Sequence, residues 1–180
     1  MNNIILKTKR LILRKPKMVD AKYYPEIYND KEASKVTHVP HPYRLSDART
    51  FITERRGNFG KTGYDFTVTL ENGTIIGSIG LMNINKRDNR SEIGYFMNKK
   101  YRGKGYMTEA CKEVLNFAFK KLKLNRVNIN HVEGNKASHE VIKKIGAKYE
   151  GTERNATLTG DKKYKDHLLY AILRKEWVRK

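Results

Sequence analysis

A glycine-punctuated junction between an apolar strand and a long amphipathic helix constrains this chain more than any other feature. Residues 91–97, Ser-Glu-Ile-Gly-Tyr-Phe-Met, read as a strand. Cys111, Val114, Leu115, Ala118, Phe119 and Leu122 then recur at steps of three and one. They form one apolar stripe of a helix over 106–122, with Lys112, Glu113, Asn116 and Lys120 off it. A second strand, 126–132, follows. A strand–helix–strand unit of this kind is a right-handed crossover between parallel neighbours. The chain must therefore build a sheet with at least one parallel pair and lay this helix against it.

The remaining elements are weaker but ordered. Leu6 to Leu13 is β-like, and Asp20 to Tyr28 reads as a short helix with Asp20 near its start. Residues 37–43 must be irregular, because Pro40 and Pro42 bias their predecessors away from helix. Ser46 suits the N-cap of a helix over 47–58, whose Ala48, Phe51, Ile52 and Arg55 share one face. Strands 64–70 and 74–81 flank Glu71-Asn-Gly-Thr74, where Asn-Gly suits two residues with positive φ. A charged loop, 85–90, precedes the central strand. After 126–132 comes a helix over 136–145 ending at Gly146, then β-like segments 147–153 and 166–173. The order β-α-α-β-β-β-α-β-α-β-β is α+β, or mixed α/β.

At 180 residues the chain is expected to be one domain, 1–180, which at this size buries roughly 70% of the surface its unfolded chain exposes. No stretch approaches the ~18 uninterrupted apolar residues of a membrane span, and the apolar run after Met1 is too short for a signal peptide. One cysteine, Cys111, excludes an internal disulfide and a cysteine-based zinc site. These features lead us to expect a cytoplasmic protein. The formal charge of +19 would attract polyanions such as nucleic acid, ribosome surfaces or phosphate-rich cofactors, or it serves solubility alone.

The chemistry is expected where strand 91–97 hands over to helix 106–122, through Asn98-Lys-Lys-Tyr-Arg-Gly-Lys-Gly-Tyr106. Gly103 and Gly105 permit positive φ and close approach of a ligand. Free N–H groups and the positive end of the dipole mark the helix start. Lys99, Lys100, Arg102 and Lys104 add charge. This is a ready pyrophosphate site, although it is neither a Walker loop nor a full dinucleotide fingerprint. The five histidines show no metal-ligand spacing, so no metal is expected. Cys111 lies on the apolar stripe and reads as core.

Arg102-Gly-Lys-Gly-Tyr-Met107 resembles the Q/R-x-x-G-x-G/A motif of the GCN5-related N-acetyltransferases (GNAT), with Met107 departing from the usual Gly or Ala. Further blocks resemble the RimJ/RimL branch: Thr8-x-Arg10-Leu-x-Leu-Arg14, Ser91-Glu-Ile-Gly-Tyr95, Thr108-Glu-Ala110, Asn135-x-x-Ser138, Lys144-Ile-Gly-Ala147, and the tail from Tyr164 to Trp177. The resemblance implies a GNAT fold. That is a twisted, mostly antiparallel sheet of about seven strands, splayed between the fourth and fifth, with about four flanking helices. It also implies acetyl-CoA as cosubstrate. Its pyrophosphate would lie on Arg102, Gly103, Lys104, Gly105, Tyr106 and Met107, and its pantetheine arm beside Met97 and Asn135.

The resemblance further implies direct attack of an amine on the thioester. Glu92 is the candidate base, or else one half of a structural ion pair. Ser138 is the candidate acid toward the thiolate, or else part of a helix cap. Relatives outside this branch carry a tyrosine where Ile142 stands. The acceptor is expected to be a protein N-terminal α-amine, ribosomal or similar, with possible ribosome association. A small amine such as a polyamine or an antibiotic is the alternative, and a basic RNA-binding module without catalysis is more remote. An exposed C-terminal strand would also support a homodimer.

Overall fold

The computed structural model describes residues 4–177. In chain order the elements are β1 (Ile5–Lys7), β2 (Leu11–Arg14), α1 (Tyr24–Tyr28), α2 (Lys31–Ser34), α3 (Leu45–Asn58), β3 (Tyr64–Leu70), β4 (Ile75–Asn85) and β5 (Arg90–Met97). There follow α4 (Tyr106–Asn116), β6 (Arg126–Asn128), β7 (His131–Val132), α5 (Lys136–Ile145), β8 (Lys148–Leu158), β9 (Tyr164–Leu173) and α6 (Arg174–Trp177). Short 3₁₀ turns cover Met18–Tyr23 and Lys99–Tyr101, and α4 runs on into a π-helical turn, Phe117–Lys121.

The strands form one sheet of nine in the order β1-β2-β3-β4-β5-β6-β9-β7, with β8 on β9. Every pairing between named strands is antiparallel except β5 with β6. That parallel pair is the one the crossover required. Its register runs only from Arg90↔Arg126 to Glu92↔Asn128. Beyond Glu92 the strands diverge: β7 pairs with β9 alone, and the edge of β5 from Ile93 to Met97 has no strand beside it. The GNAT splay is therefore present, between β5 and β6–β7.

The count of nine has two causes. The segment read as one strand over 6–13 is a hairpin, with Leu6 opposite Leu13 across a turn at Thr8–Arg10. The segment 126–132 breaks where Asn130 turns its side-chain oxygen to the Tyr170 N–H.

Two apolar layers cover the sheet. The α4 stripe packs with Leu11, Leu13, Phe66, Val68, Ile93 and Val127 on one face. Tyr24, Ile27, Tyr28, Ala48 and Ile52 from α1 and α3 pack with Phe96 on the other. Trp177 lies against Phe119, with ring centroids 6.2 Å apart, and its N–H donates to Asn116.

Local expectations fail in three places. The α3 cap is Arg44 and not Ser46: the Asp47 carboxylate accepts the Arg44 N–H at 2.7 Å, which starts the helix two residues early. Residues 18–23 form a 3₁₀ turn because Asp20 is pulled inward onto Arg14. In the 71–74 turn only Gly73 has positive φ, and Asn72 instead accepts the Thr74 N–H through its side chain. The end of α5 at Gly146, φ +79°, is as expected.

Candidate active site

The strand-to-helix junction is built as the sequence implies. Gly103 and Gly105 have φ of +77° and +79°, and Gly105 caps α4 in the left-handed region. The first bond into α4 runs from the Glu109 N–H to the Gly105 carbonyl. The N–H groups of Tyr106, Met107 and Thr108 precede it and have no carbonyl one turn back. A row of amides at the positive end of a helix, on a loop without side chains at two positions, fits a diphosphate.

The basic residues around this loop do not all face it. Arg102 points inward: its Nε donates to the Met97 carbonyl at 3.0 Å, its Nη1 reaches Asp30 at 2.7 Å, and its guanidinium lies over Phe96. Lys100 pairs with Glu26 at 2.7 Å. The motif arginine thus braces the end of β5 against the start of α2, where Asp30 caps the helix. Asp30 is held below the usual carboxylate range: burial opposes the shift, and the Ala33 N–H and Arg102 outweigh it.

Alternation along β5 separates two sets of side chains. Ile93, Tyr95 and Met97 face α4 and α5, whereas Glu92 and Phe96 face the α1–α3 side. The Asn98 N–H bonds to Ile76 on β4, so the main-chain groups of Tyr95 and Met97 turn the other way, toward the splay. A ligand chain entering there would meet the N–H groups of Tyr95 and Met97 and the Tyr95 carbonyl, the Met97 carbonyl being taken by Arg102.

Glu92 sits where the parallel pairing ends. It is in no ion pair among the described residues, so the bracing alternative finds no partner. Burial raises its carboxyl above the ordinary value, and the charge of nearby His38 opposes this only in part.

Ser138 lies on the other face of the sheet, buried. The cap of α5 is Asn135, whose side-chain oxygen accepts the Ser138 N–H at 3.0 Å while its amide donates to the Val36 carbonyl at 3.2 Å. The Ser138 hydroxyl is thus free of capping and meets the Tyr95 hydroxyl at 2.8 Å. Tyr95 escaped the sequence reading. Only its position in the splayed half of β5, on the α5 side, singles it out, and that requires the register. Burial pushes its hydroxyl well up, so it stays protonated.

Other polar and aromatic side chains near the site have structural partners. Tyr106 lies under the Arg10 guanidinium, Tyr149 bonds Thr152, Ile142 is core, and Asp166 accepts the Asn155 N–H. Cys111 is buried, which raises its thiol far above its ordinary value. The histidines, scattered in sequence, partly converge: the rings of His131 and His139 are 5.5 Å apart.

Residues 10–148 match the family model described as the acetyltransferase (GNAT) domain. The chain belongs to the GNAT acetyltransferase family. It is 30% identical over 172 residues to YnaD of Bacillus subtilis, an uncharacterized N-acetyltransferase, covering 94% of this chain and 97% of that one. YdaF of the same organism, named as a candidate ribosomal N-acetyltransferase, is 37% identical over 108 residues, 60% of this chain and 58% of YdaF. A crystal structure of a GNAT-family acetyltransferase from Bacillus anthracis superposes with a TM-score of 0.83 at 30% identity, covering 96% and 100% of the two chains. The protein is an acetyl-CoA-dependent N-acetyltransferase of this type. Among the described residues no helix is long and apolar enough to cross a membrane.

Proposed function

We propose that the acceptor is the N-terminal α-amine of a protein, ribosomal in kind, acetylated by direct attack in a ternary complex. The observation that carries the mechanism is the disposition of Glu92 and Ser138 on opposite faces of the sheet at the mouth of one splay. Acetyl-CoA supplies an acyl group activated as a thioester. The amides of Gly103 to Met107 hold its diphosphate, and the edge of β5 aligns its arm, with the Met97 N–H available to the thioester oxygen. Arg102 and Asn135 position these groups through Met97 and Ser138.

Glu92 receives the proton that the amine loses as its nitrogen bonds the carbonyl carbon. A carboxylate of raised pKa is better matched to that task near neutrality than an ordinary one. As the carbon–sulfur bond breaks, Ser138, oriented by the Tyr95 hydroxyl, delivers a proton to the departing sulfur, and its oxygen takes one back from solvent when the products leave. α-Amines are less fully protonated at pH 7 than lysine side chains, which favours them as acceptors. The name carried by YdaF supports a ribosomal acceptor, and the charge of +19 suits a protein that meets its substrate on a ribosomal surface.

The test is an acceptor panel. Peptides copying basic protein N-termini should release CoA from acetyl-CoA, whereas spermidine and aminoglycosides should not. Saturable turnover of spermidine alone would overturn the proposed acceptor. Separately, CoA should raise the melting temperature, and Gly105→Val, which forces a β-branched residue to φ +79°, should remove that rise. A rise that survives the substitution would overturn the assignment of the loop.

A further inference from the structure

The end of the sheet where β5 begins carries a cleft of about 340 Å³ between β3, β4 and the end of α4. Tyr64, Ile84, Leu122 and Leu124 wall it, with Lys61 and Lys86 beside them. Main-chain bonds draw the surrounding segments together: the Ile84 N–H donates to the Thr62 carbonyl at 3.0 Å, and the Asn125 N–H to the Asn89 carbonyl at 2.7 Å. Lys61, Lys86, Arg87, Lys120, Lys121 and Lys123 are all exposed on these segments. Residues 60–64, 84–90 and 117–125 contain a single acid, Asp88, which pairs with Arg90 at 3.6 Å. None of the six cations is in an ion pair among the described residues. The dipole of α4 favours lysines at its end, which accounts for Lys120 and Lys121. It does not account for Lys61, Lys86 and Arg87, which stand on turns next to other strands. α4 and its π-helical turn run over 106–121, so this end lies about 24 Å from the phosphate loop.

We propose that this end of the molecule binds single-stranded RNA, with one base seated in the cleft and the flanking phosphates on the lysines. Six cations spread over three segments exceed what one small anion needs, so the ligand carries repeated negative charge. The apolar walls make a second demand: the ligand must offer a flat, partly apolar group between its charges. A single strand does both. A duplex keeps its bases stacked inside, and an anionic bilayer keeps its apolar part below the headgroups. The surface is independent of the acetyl-CoA site. The choice of RNA rests on the ribosomal acceptor proposed above, which the acceptor panel tests separately.

Fluorescence anisotropy with a short labelled oligouridine reads the binding. Lys61→Gln/Lys86→Gln removes two charges at the cleft. Lys31→Gln/Arg49→Gln removes two exposed charges from α2 and α3, so the two double variants have the same net charge. The cleft variant should bind about tenfold more weakly than the parent, and the α2–α3 variant within about twofold. The slope of log affinity against log salt should fall by about 1.4 in the cleft variant, two phosphates at about 0.7 each. An abasic oligomer of the same length should bind the parent about tenfold more weakly than oligouridine. An unchanged CoA-induced rise in melting temperature shows that each variant is folded.

Equal losses in the two double variants would overturn the proposal, because binding would then follow net charge and not this surface. Equal affinity for abasic and base-bearing oligomers would overturn the seat for a base. Tighter binding of an RNA duplex, or of phosphatidylglycerol vesicles, lost in the cleft variant, would replace the single strand with that partner. Turnover of no peptide in the acceptor panel would leave the RNA result standing and refute only the acceptor.

Discussion

Arg10 and Glu109 lie 99 positions apart and are joined three ways: Glu109 accepts the Arg10 main-chain N–H at 3.0 Å, its Nε at 2.6 Å, and its Nη2 at 2.6 Å. The Thr8 hydroxyl adds a fourth bond at 2.6 Å, and Arg10 also donates to the Lys104 carbonyl. The turn between β1 and β2 thereby clamps the phosphate loop from outside. Burial works against the Glu109 charge, but the Thr8 and Arg10 hydrogen bonds hold its carboxyl below the ordinary value.

Glu109→Gln should therefore cost about 1–2 kcal/mol of stability, a drop of roughly 3–6 °C in Tm. KM for acetyl-CoA should rise about fivefold, because the loop loses its outer brace. kcat should change little, since no reacting atom is touched. Calorimetric melting and initial rates at varied acetyl-CoA check this; an unchanged KM would show that the loop holds its shape without the clamp.

Glu92→Gln should lower kcat/KM for the amine by roughly 100-fold or more while leaving the CoA-induced rise in Tm intact. In the parent the carboxylate works only when ionised, and burial raises its pKa. The rate should therefore fall, as pH drops, at a higher pH than an ordinary glutamate would give. That acid limb should be missing from the residual activity of the variant. A rate profile from pH 5 to 9 decides it, and an acid limb shared by both proteins would exclude Glu92 as its source.

The parts that local chemistry dictates were legible before any coordinates. The α4 stripe, the crossover, the glycine loop and the α5 end at Gly146 follow from periodicity and from φ that only some residues adopt. What sequence could not give was pairing at a distance. The hairpin at Thr8–Arg10 is held by Glu109, and nothing within the 6–13 segment announces that contact. Arg102 reads as a phosphate ligand on a basic loop, yet Asp30, 72 positions away, turns it inward. Tyr95 looks like one more aromatic in an apolar strand until α5 brings Ser138 to it.

Asp65 predicts how stability varies with pH. It is buried on β3 beside Gly80, where a Cβ would stand 2.3 Å from its Oδ1, so the glycine makes room for it. Its ion pair with Arg55 is long, 3.8 Å, and burial outweighs it, raising the carboxyl to about 6. The folded state therefore holds this proton more tightly than the unfolded chain. The stabilisation is present below the unfolded value of 3.8 and is lost as pH rises through about 6. Asp65→Asn should be the more stable protein at pH 8, by on the order of 2 kcal/mol after allowing for the partner Arg55 loses. The difference should shrink toward zero at pH 4. Denaturant melts at the two pH values measure it, and equal stability at pH 8 would contradict the cost assigned to the buried charge.

The Ser138–Tyr95 pair separates catalysis from folding. Ser138→Ala removes the proposed acid and leaves the buried Tyr95 hydroxyl only its longer bond, 3.4 Å, to the main-chain carbonyl of the same position, which costs about 1–3 kcal/mol. Tyr95→Phe leaves Ser138 its hydroxyl but frees its orientation. The double variant removes both polar groups, so it should be more stable than Ser138→Ala alone, yet no more active. We expect kcat to fall about 10- to 100-fold for Ser138→Ala and less for Tyr95→Phe, with the double variant no worse than Ser138→Ala. Acid assistance matters least when the leaving sulfur is a weak base. The deficit of Ser138→Ala should thus narrow with an acetyl thioester whose thiol is more acidic than that of CoA. A deficit that stays constant across donors would mean that Ser138 only shapes the start of α5, and that the thiolate takes its proton from water.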